Sequence, residues 1–197
     1  AAAAGVAACA DPAVAFAFMV EPHDGMTTVQ LQRGADVSRD IVLDVTLTCS
    51  TLEGSALVPF DAAGGTASNG SDYVSTPGMA LLTLTHSDQG GTSTPVPAIV
   101  HIELLDNGQN ASQTRTLNIV RTEGSFQGIS AQGHPLVGTI PGSSTPIVAI
   151  TILAQTTIDE GSNVVPGLDP GAGDVSNAAT RFCAGQGGGS GSTGCLA

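Results

Sequence analysis

The sequence predicts an all-β fold, an antiparallel β-sandwich of about seven or eight strands. Apolar residues recur at every second position in several segments, such as IVLDVTLTC (41–49), and a period of two is typical of a strand with one buried face. Stretches rich in Gly, Pro, Asn, Asp and Ser separate these segments, as turns between short strands would. Helical spacing of apolar residues with a credible cap is absent from the sequence. Together these patterns favour a sandwich.

About eight segments carry the strand pattern. In chain order they are VAFAFMV within 13–20, TTVQLQR (27–33), IVLDVTLTC (41–49), MALLTLT (79–85), VPAIVHIEL (96–104), TRTLNIVR (114–121), LVGTI (136–140) and PIVAITILA (146–154). In 96–104 the apolar residues take alternate positions, and His101 and Glu103 take the positions between them. Each segment is therefore expected to bury one face and to expose the other.

The strand pattern stops after about Glu160. Residues 161–197 are rich in Gly, Ser, Asn and Pro, a composition that is typical of an extended arm rather than of a packed layer. We therefore expect an N-terminal extension at 1–12, a sandwich domain at 13–160 and a Gly/Ser-rich C-terminal arm at 161–197.

The composition excludes some classes of function and favours others. The net charge is −12, and the chain has five Arg and no Lys, so the phosphate backbone of a nucleic acid would be repelled. No apolar run is long enough to span a membrane. The Ala-rich start without Met is expected of a processed N-terminus. A secreted protein, extracellular or at a cell surface, is the resulting expectation.

Four cysteines, Cys9, Cys49, Cys183 and Cys195, occur without a C-x-x-C pair. This spacing is unlike that of a zinc site, so disulfides in an oxidising compartment are the preferred interpretation. Of the three possible pairings we favour Cys9 with Cys49 and Cys183 with Cys195, because the second bond would close a Gly-rich loop that cannot build a core. Free buried thiols are the alternative.

The stretch GGTASNGSDY (64–73) ends in the only Tyr of the chain. Gly65 and Gly70 can adopt a positive φ without a Cβ penalty. Asp72 can accept backbone N–H bonds that hold the turn. Tyr73 can place its ring at the sandwich edge while its hydroxyl reaches a polar partner. This stretch is therefore expected to form a corner of the sandwich.

The order of these motifs resembles the Calx-beta domain family. Gly65-Thr66-Ala67 leads into Gly70-Ser71-Asp72-Tyr73, and a short turn with Gly78 precedes the apolar segment 79–85. The resemblance runs from about Phe16 to Leu153. It implies a Greek-key, immunoglobulin-like sandwich.

Many Calx-beta domains bind calcium at one end, and the resemblance implies three candidate ligands here, Glu21, Asp72 and Asp106. A calcium ion takes six to eight oxygen ligands. However, no carboxylate lies between Asp106 and Glu123, and the last strand is followed only late by Asp159 and Glu160. We therefore expect no cofactor, with calcium as the alternative.

Catalysis is not expected. His23, His86, His101 and His134 are scattered, and no Gly-x-Ser-x-Gly motif occurs. Asn69 and Asn110 each begin an Asn-x-Ser sequence in a predicted loop, which makes both candidates for N-glycosylation.

Two functions fit this sequence. The first is a structural subunit of an extracellular fibre, sheath or surface matrix, whose partner is another copy of itself. Its assembly arm would be Val14, Phe16, Phe18 and Val20, adding to the open sheet edge of a neighbour; alternatively, residues 13–20 are the first strand of their own sandwich. The second function is a calcium-dependent adhesion or ligand-binding module of a surface protein.

Overall fold

The computed structural model describes residues 15–85, 92–105 and 112–155. These residues form eleven strands and no helix. The strands are β1 (Phe16–Pro22), β2 (Thr28–Gln32), β3 (Ser38–Ser50), β4 (Leu52–Ala63), β5 (Tyr73–Thr76), β6 (Gly78–Leu84), β7 (Val96–Leu104), β8 (Arg115–Arg121), β9 (Gly124–Ser130), β10 (Pro135–Ile140) and β11 (Ser143–Leu153). The predicted all-β sandwich is confirmed, whereas the predicted number of strands is too low.

The smaller of the two sheets has four strands in the order β1-β3-β7-β5. All its pairs are antiparallel, and β1 and β5 are its edges. The register of β1 against β3 shifts once, between Ala17 and Phe18. The strand predicted at 13–20 is therefore, over its described residues, the first strand of its own sandwich.

The larger sheet has seven strands in the order β10-β9-β4-β8-β11-β2, with β6 also paired to β4. The long strand β4 pairs with β9 over its first half, with β8 at its end and with β6 over its middle. One pair departs from the predicted antiparallel arrangement, because β2 runs parallel to β11. The two strands are far apart in sequence, so no short hairpin fixes their relative direction.

Three strands, β4, β5 and β9, were not predicted from the sequence. On β4 the buried positions include the small residues Ala56 and Ala62, which weaken the apolar alternation, and Gly54 is exposed. On β9 the glycines Gly124 and Gly128 have the same effect. Residues 73–76 were interpreted as part of a loop and turn, but they form β5, which pairs with β7 just before the chain moves into the other sheet as β6.

The core lies between the two sheets. Its described members run from Val29 to Ile152, and Phe60, at the centre of β4, is its largest fully buried side chain. Along β3, Ile41, Leu43 and Val45 all point into the core, which confirms the predicted alternation. Burying a side chain of this kind contributes about 1.5–3 kcal/mol, so the alternating segments determine which face of each sheet turns inward.

Candidate functional site

The predicted corner is the loop between β4 and β5. Gly65 and Gly70 have φ values of 80° and 82°, which confirms the expected need for glycine. The N–H groups of Thr66 and Ala67 both donate to the carbonyl of Thr116, at 2.9 Å each. The loop is thereby attached to β8 on one side, and β5 begins on the other.

Asp72 is the centre of this corner. Its Oδ2 accepts a hydrogen bond from the Ser68 N–H at 2.8 Å, as the sequence predicted. Its Oδ1 accepts one from Arg33 Nη2 at 2.7 Å, and both side chains are only 2% exposed. Arg33 Nη1 also donates to the carbonyl of Leu105 at 3.2 Å. The pair therefore joins the ends of β2 and β7 to the corner loop.

The surroundings of Asp72 lower its pKa below the ordinary value. Burial acts in the opposite direction, because it disfavours the charged carboxylate. The hydrogen bond from Ser68 and the hydrogen bond and charge of Arg33 outweigh it, and the charge of Arg115 adds to them. Asp72 is thus held ionised, with its charge balanced inside the protein.

Tyr73 follows directly and begins β5. Its ring is buried in the core rather than lying open at the edge, and its hydroxyl donates to the carbonyl of Ala62 at 3.3 Å. Burial raises the pKa of Tyr73, and the charges of Asp61 and Asp72 raise it further. The single tyrosine of the chain therefore packs the corner against the end of β4.

Arg33 is the residue of this site that sequence reasoning missed. It continues the alternation of Val29 and Leu31, which places its side chain on the buried face of the sheet. A basic residue at a buried position of a strand pattern requires a buried acid as its partner. That signal was available in the sequence.

Of the three predicted calcium ligands, the two that the structure describes, Glu21 and Asp72, are not brought together. Asp106 lies outside the described residues. In the strand register, Glu21 of β1 lies opposite Asp44 of β3, which lies opposite Pro97 at the start of β7. Asp72 immediately precedes Tyr73, which lies opposite Leu104 at the end of β7. Glu21 and Asp72 therefore lie near opposite ends of β7, roughly 23 Å apart along that strand. Both oxygens of Asp72 already accept hydrogen bonds from the protein.

Two His–Asp pairs lie on the outer face of the four-stranded sheet. His23 Nδ1 is 2.8 Å from Asp44 Oδ2, and His101 Nδ1 is 2.5 Å from Asp40 Oδ1. All four side chains are at least partly exposed. Within the described residues no three His, Cys, Asp or Glu side chains are placed to hold a metal ion.

The remaining predicted residues are placed as follows. Phe16, Phe18 and Val20 lie on β1 and pack against the core, and Val14 lies outside the described residues. Cys49 is buried and disulfide-bonded. Asn69 is exposed in the corner loop. The positions outside the described residues are Cys9, Cys183, Cys195 and Asn110, so the cysteine pairing and the second glycosylation site stay predictions.

No helix in the part of the chain that the structure describes has the length and apolar character needed to cross a bilayer.

Comparison with known proteins gives only distant structural similarities. No family model and no curated protein matches the chain. Among solved structures, the chain is similar to the apo form of the Calx CBD1 domain (14% identity, TM-score 0.38, covering 70% of this chain and 97% of that one). It is also similar to the calcium binding domain CBD12 of CALX1.1 (14%, 0.36, 69% and 44%), of which it spans less than half. A third is the sixth cohesin of Acetivibrio cellulolyticus scaffoldin B in complex with a Cel5 dockerin mutant (14%, 0.27, 72% and 100%).

At these values the resemblance to Calx domains is one of fold only. Membership of the Calx-beta family stays a prediction.

Proposed function

We propose that this chain is a non-enzymatic, secreted structural subunit that assembles into an extracellular fibre, sheath or surface matrix by exchanging β1 between copies. The proposal rests chiefly on the position of β1. This strand is the most N-terminal of the described strands and an edge of its sheet, and it pairs only with β3 among the strands described. Its apolar side chains nevertheless complete the core.

The packing of β1 supports exchange. Phe16 stacks against Phe18, with ring centroids 5.9 Å apart, and meets Phe126 of β9 edge to face at 5.4 Å. The guanidinium of Arg121 lies 5.3 Å from the centroid of the Phe18 ring. The contacts with Phe126 and Arg121 are made from β1 to the rest of the domain, whereas the stacking of Phe16 on Phe18 lies within β1. The same strand from another copy would make them equally well, so exchange costs few contacts.

Exchange of this kind propagates when each copy donates its strand to the next copy. The contact is then head-to-tail and does not close, and such contacts generate filaments. The disulfides predicted from the four cysteines suit an extracellular location of that filament. Nothing in the geometry of the described residues favours the alternative calcium-dependent module, since Asp72 is paired with Arg33.

A cross-strand cysteine pair tests the proposal. Met19 and Thr46 are register partners on β1 and β3, and Met19 is exposed on the outer face of the sheet. In the double variant Met19→Cys/Thr46→Cys, oxidised under assembly conditions, exchanged β1 strands would produce a ladder of covalent multimers on a non-reducing gel.

The single variants Met19→Cys and Thr46→Cys are the matched controls, because each has only one of the two new thiols. A band of internally cross-linked monomer with no ladder would overturn the proposal. The oxidation is carried out at the protein concentrations at which negative-stain microscopy of the native chain tests for filaments.

A further inference from the structure

The outer face of the seven-stranded sheet carries exposed apolar side chains that its own domain does not cover. Val137 is 81% exposed, Leu81 60%, Met79 58% and Ile129 50%. Leu57 and Pro59 of β4 lie between them and are half-buried. We refer to these six residues as the apolar face.

The strand register brings the apolar face together. Leu81 of β6 pairs with Leu57 of β4, and Met79 pairs with Pro59. Leu57 pairs with Ser125 of β9 on its other side, and Val137 of β10 pairs with Gln127 one row further on. Because neighbouring strands lie about 4.8 Å apart, these residues share one face of four neighbouring strands, with the uncharged Ser55, Ser125 and Gln127 between Val137 and Leu57.

This surface is not flat. A depression of about 290 Å³ is lined by Ser55, Leu57, Leu81, Ser125, Phe126, Gln127 and Val137. Val137, the most exposed of the large apolar residues, stands beside it. A projecting apolar side chain next to a depression lined by apolar and uncharged polar side chains suits a self-complementary contact, since each copy offers both parts.

The apolar face is also nearly free of charge. Its outward neighbours on β4, β6, β9 and β10 are Ser55, Thr83, Ser125, Gln127 and Thr139, and the carboxylates Glu53, Asp61 and Glu123 lie at its border. The outer face of the four-stranded sheet differs sharply. It carries the carboxylates Glu21, Asp40, Asp44 and Glu103.

The charge distribution identifies the partner. Each copy has a net charge of −12, so two copies repel one another over most of their surface. The centre of the apolar face carries no carboxylate, so two copies can approach there with less repulsion than elsewhere, and contiguous exposed apolar surface is characteristic of interaction sites. We propose that the apolar face is a lateral contact between two copies of this chain, related by a two-fold axis. This inference deepens the proposed function, because it supplies side-to-side contacts between strand-exchanged filaments.

Charged substitutions on the full chain test the lateral contact. Leu81→Asp and Val137→Asp each place a carboxylate within it, and both side chains are exposed enough to change without disturbing the core. Ile99→Asp is the matched control, since Ile99 is 51% exposed on the outer face of the other sheet. The dissociation constant of self-association, measured by sedimentation at about 0.15 M salt and again at about 1 M, is expected to rise at least tenfold in the first two variants and to be unchanged in the control.

The native chain is expected to associate more tightly at high salt, because screening weakens the repulsion between acidic copies. A native chain that stays monomeric at both salt concentrations overturns the inference and leaves another partner for the face. So does a control variant that dissociates as readily as Leu81→Asp.

The cross-linked background separates the two proposals. When Leu81→Asp is added to Met19→Cys/Thr46→Cys, a surviving ladder with loss of lateral pairing in micrographs supports both. In Met19→Cys/Thr46→Cys without Leu81→Asp, sedimentation of lateral dimers with no ladder supports the lateral contact and overturns strand exchange. A ladder whose filaments pair side to side despite Leu81→Asp and Val137→Asp overturns the lateral contact alone.

Discussion

At the scale of single residues, the buried pair of Arg33 with Asp72 connects positions 39 residues apart in the chain. Burying two charges is costly, and their attraction compensates only when the remaining polar atoms are also satisfied. Here the carboxylate also accepts the Ser68 N–H and the guanidinium also donates to Leu105, but the buried Nε of Arg33 has no hydrogen-bond partner. Removing either partner would leave the other as a buried, uncompensated charge.

The substitution Asp72→Asn is therefore expected to lower the free energy of unfolding at neutral pH by about 3–5 kcal/mol. Because the pKa of Asp72 is below its ordinary value of 3.8 in the folded state, the stabilisation is fully present above about pH 4. It is lost as the pH falls through the folded pKa. The free energy of unfolding of the native chain should therefore fall by this contribution in acid. The Asp72→Asn variant should not show that part of the fall with pH. Urea unfolding from pH 7 downwards measures both.

Two further variants control this experiment. Glu103→Gln removes an exposed carboxylate from β7 and is expected to change stability by less than about 0.5 kcal/mol. Arg33→Met in the Asp72→Asn background removes the buried guanidinium that has lost its carboxylate partner, and it should restore part of the lost free energy of unfolding. If Asp72→Asn costs no more than Glu103→Gln, the pair does not hold the corner.

The sequence predicted part of this site, and the limit has a physical cause. The backbone role of Asp72 and the need for Gly65 and Gly70 are local, so they can be inferred from a few neighbouring residues. The partner of Asp72 comes from another strand, and local pattern does not specify which distant residues meet. Glu21 shows the same limit, since only the strand order places it far from Asp72.

At the scale of elements, β10 is held to β9 by an aromatic ring packed over a glycine. Gly138 and Phe126 are register partners, and a Cβ at Gly138 would lie 2.3 Å from the Phe126 ring. An aromatic side chain that covers a glycine on the neighbouring strand helps to fix strand register. The same ring contacts Phe16, so it also links the β9–β10 hairpin to β1.

The substitution Gly138→Ala is expected to displace Phe126 and to destabilise the domain by about 1–3 kcal/mol, the usual cost of overpacking. Thr139→Ala, an exposed change on the same strand, is the control and should be nearly neutral. Denaturant unfolding gives both values. Adding Phe126→Leu to Gly138→Ala should cost less than the sum of the two single changes, since the smaller side chain relieves the clash. Strictly additive values would contradict this account.

Elements were predicted where large apolar residues alternate and were missed where small residues occupy the inward positions. On β3 the alternation runs from Ile41 to Cys49, and the strand was found. On β4 the buried alanines Ala56 and Ala62 weaken the signal, and on β9 Gly124 and Gly128 remove it, because a glycine has no side chain to mark the buried face. The parallel pairing of β2 with β11 was missed for another reason: direction depends on the whole path of the chain.

At the scale of the whole molecule, the two outer faces of the sandwich differ in character. One carries carboxylates and both His–Asp pairs, and the other carries the apolar face and few charges. Net charge alone, as read from composition, does not reveal this separation, since strand order decides which side each residue takes. The acidic face keeps copies apart, so an assembly of such subunits would depend on the apolar face and on the edge strands.

The described core also bears on the predicted domain boundaries. Its described members lie between Val29 and Ile152, and the predicted arm at 161–197 lies outside the described residues, so the boundary stays a prediction that rests on the Gly/Ser-rich composition of the arm. Deleting residues 161–197 is therefore expected to change the free energy of unfolding by less than about 1 kcal/mol, which corresponds to about 2–4 °C in Tm. Thermal unfolding of the full and shortened chains measures this difference.

The same deletion tests the cysteine pairing. The shortened chain retains Cys9 and Cys49, and Cys49 is disulfide-bonded in the structure. If its partner is Cys9, as the sequence predicts, the denatured and unreduced shortened chain shows no reactive thiol. If its partner is Cys183 or Cys195, the deletion removes that partner, and a thiol reagent labels Cys49. The disulfide would then join the arm to the C-terminal end of β3. Because such a disulfide contributes about 2–4 kcal/mol, the fall in Tm on deletion would exceed the expected range.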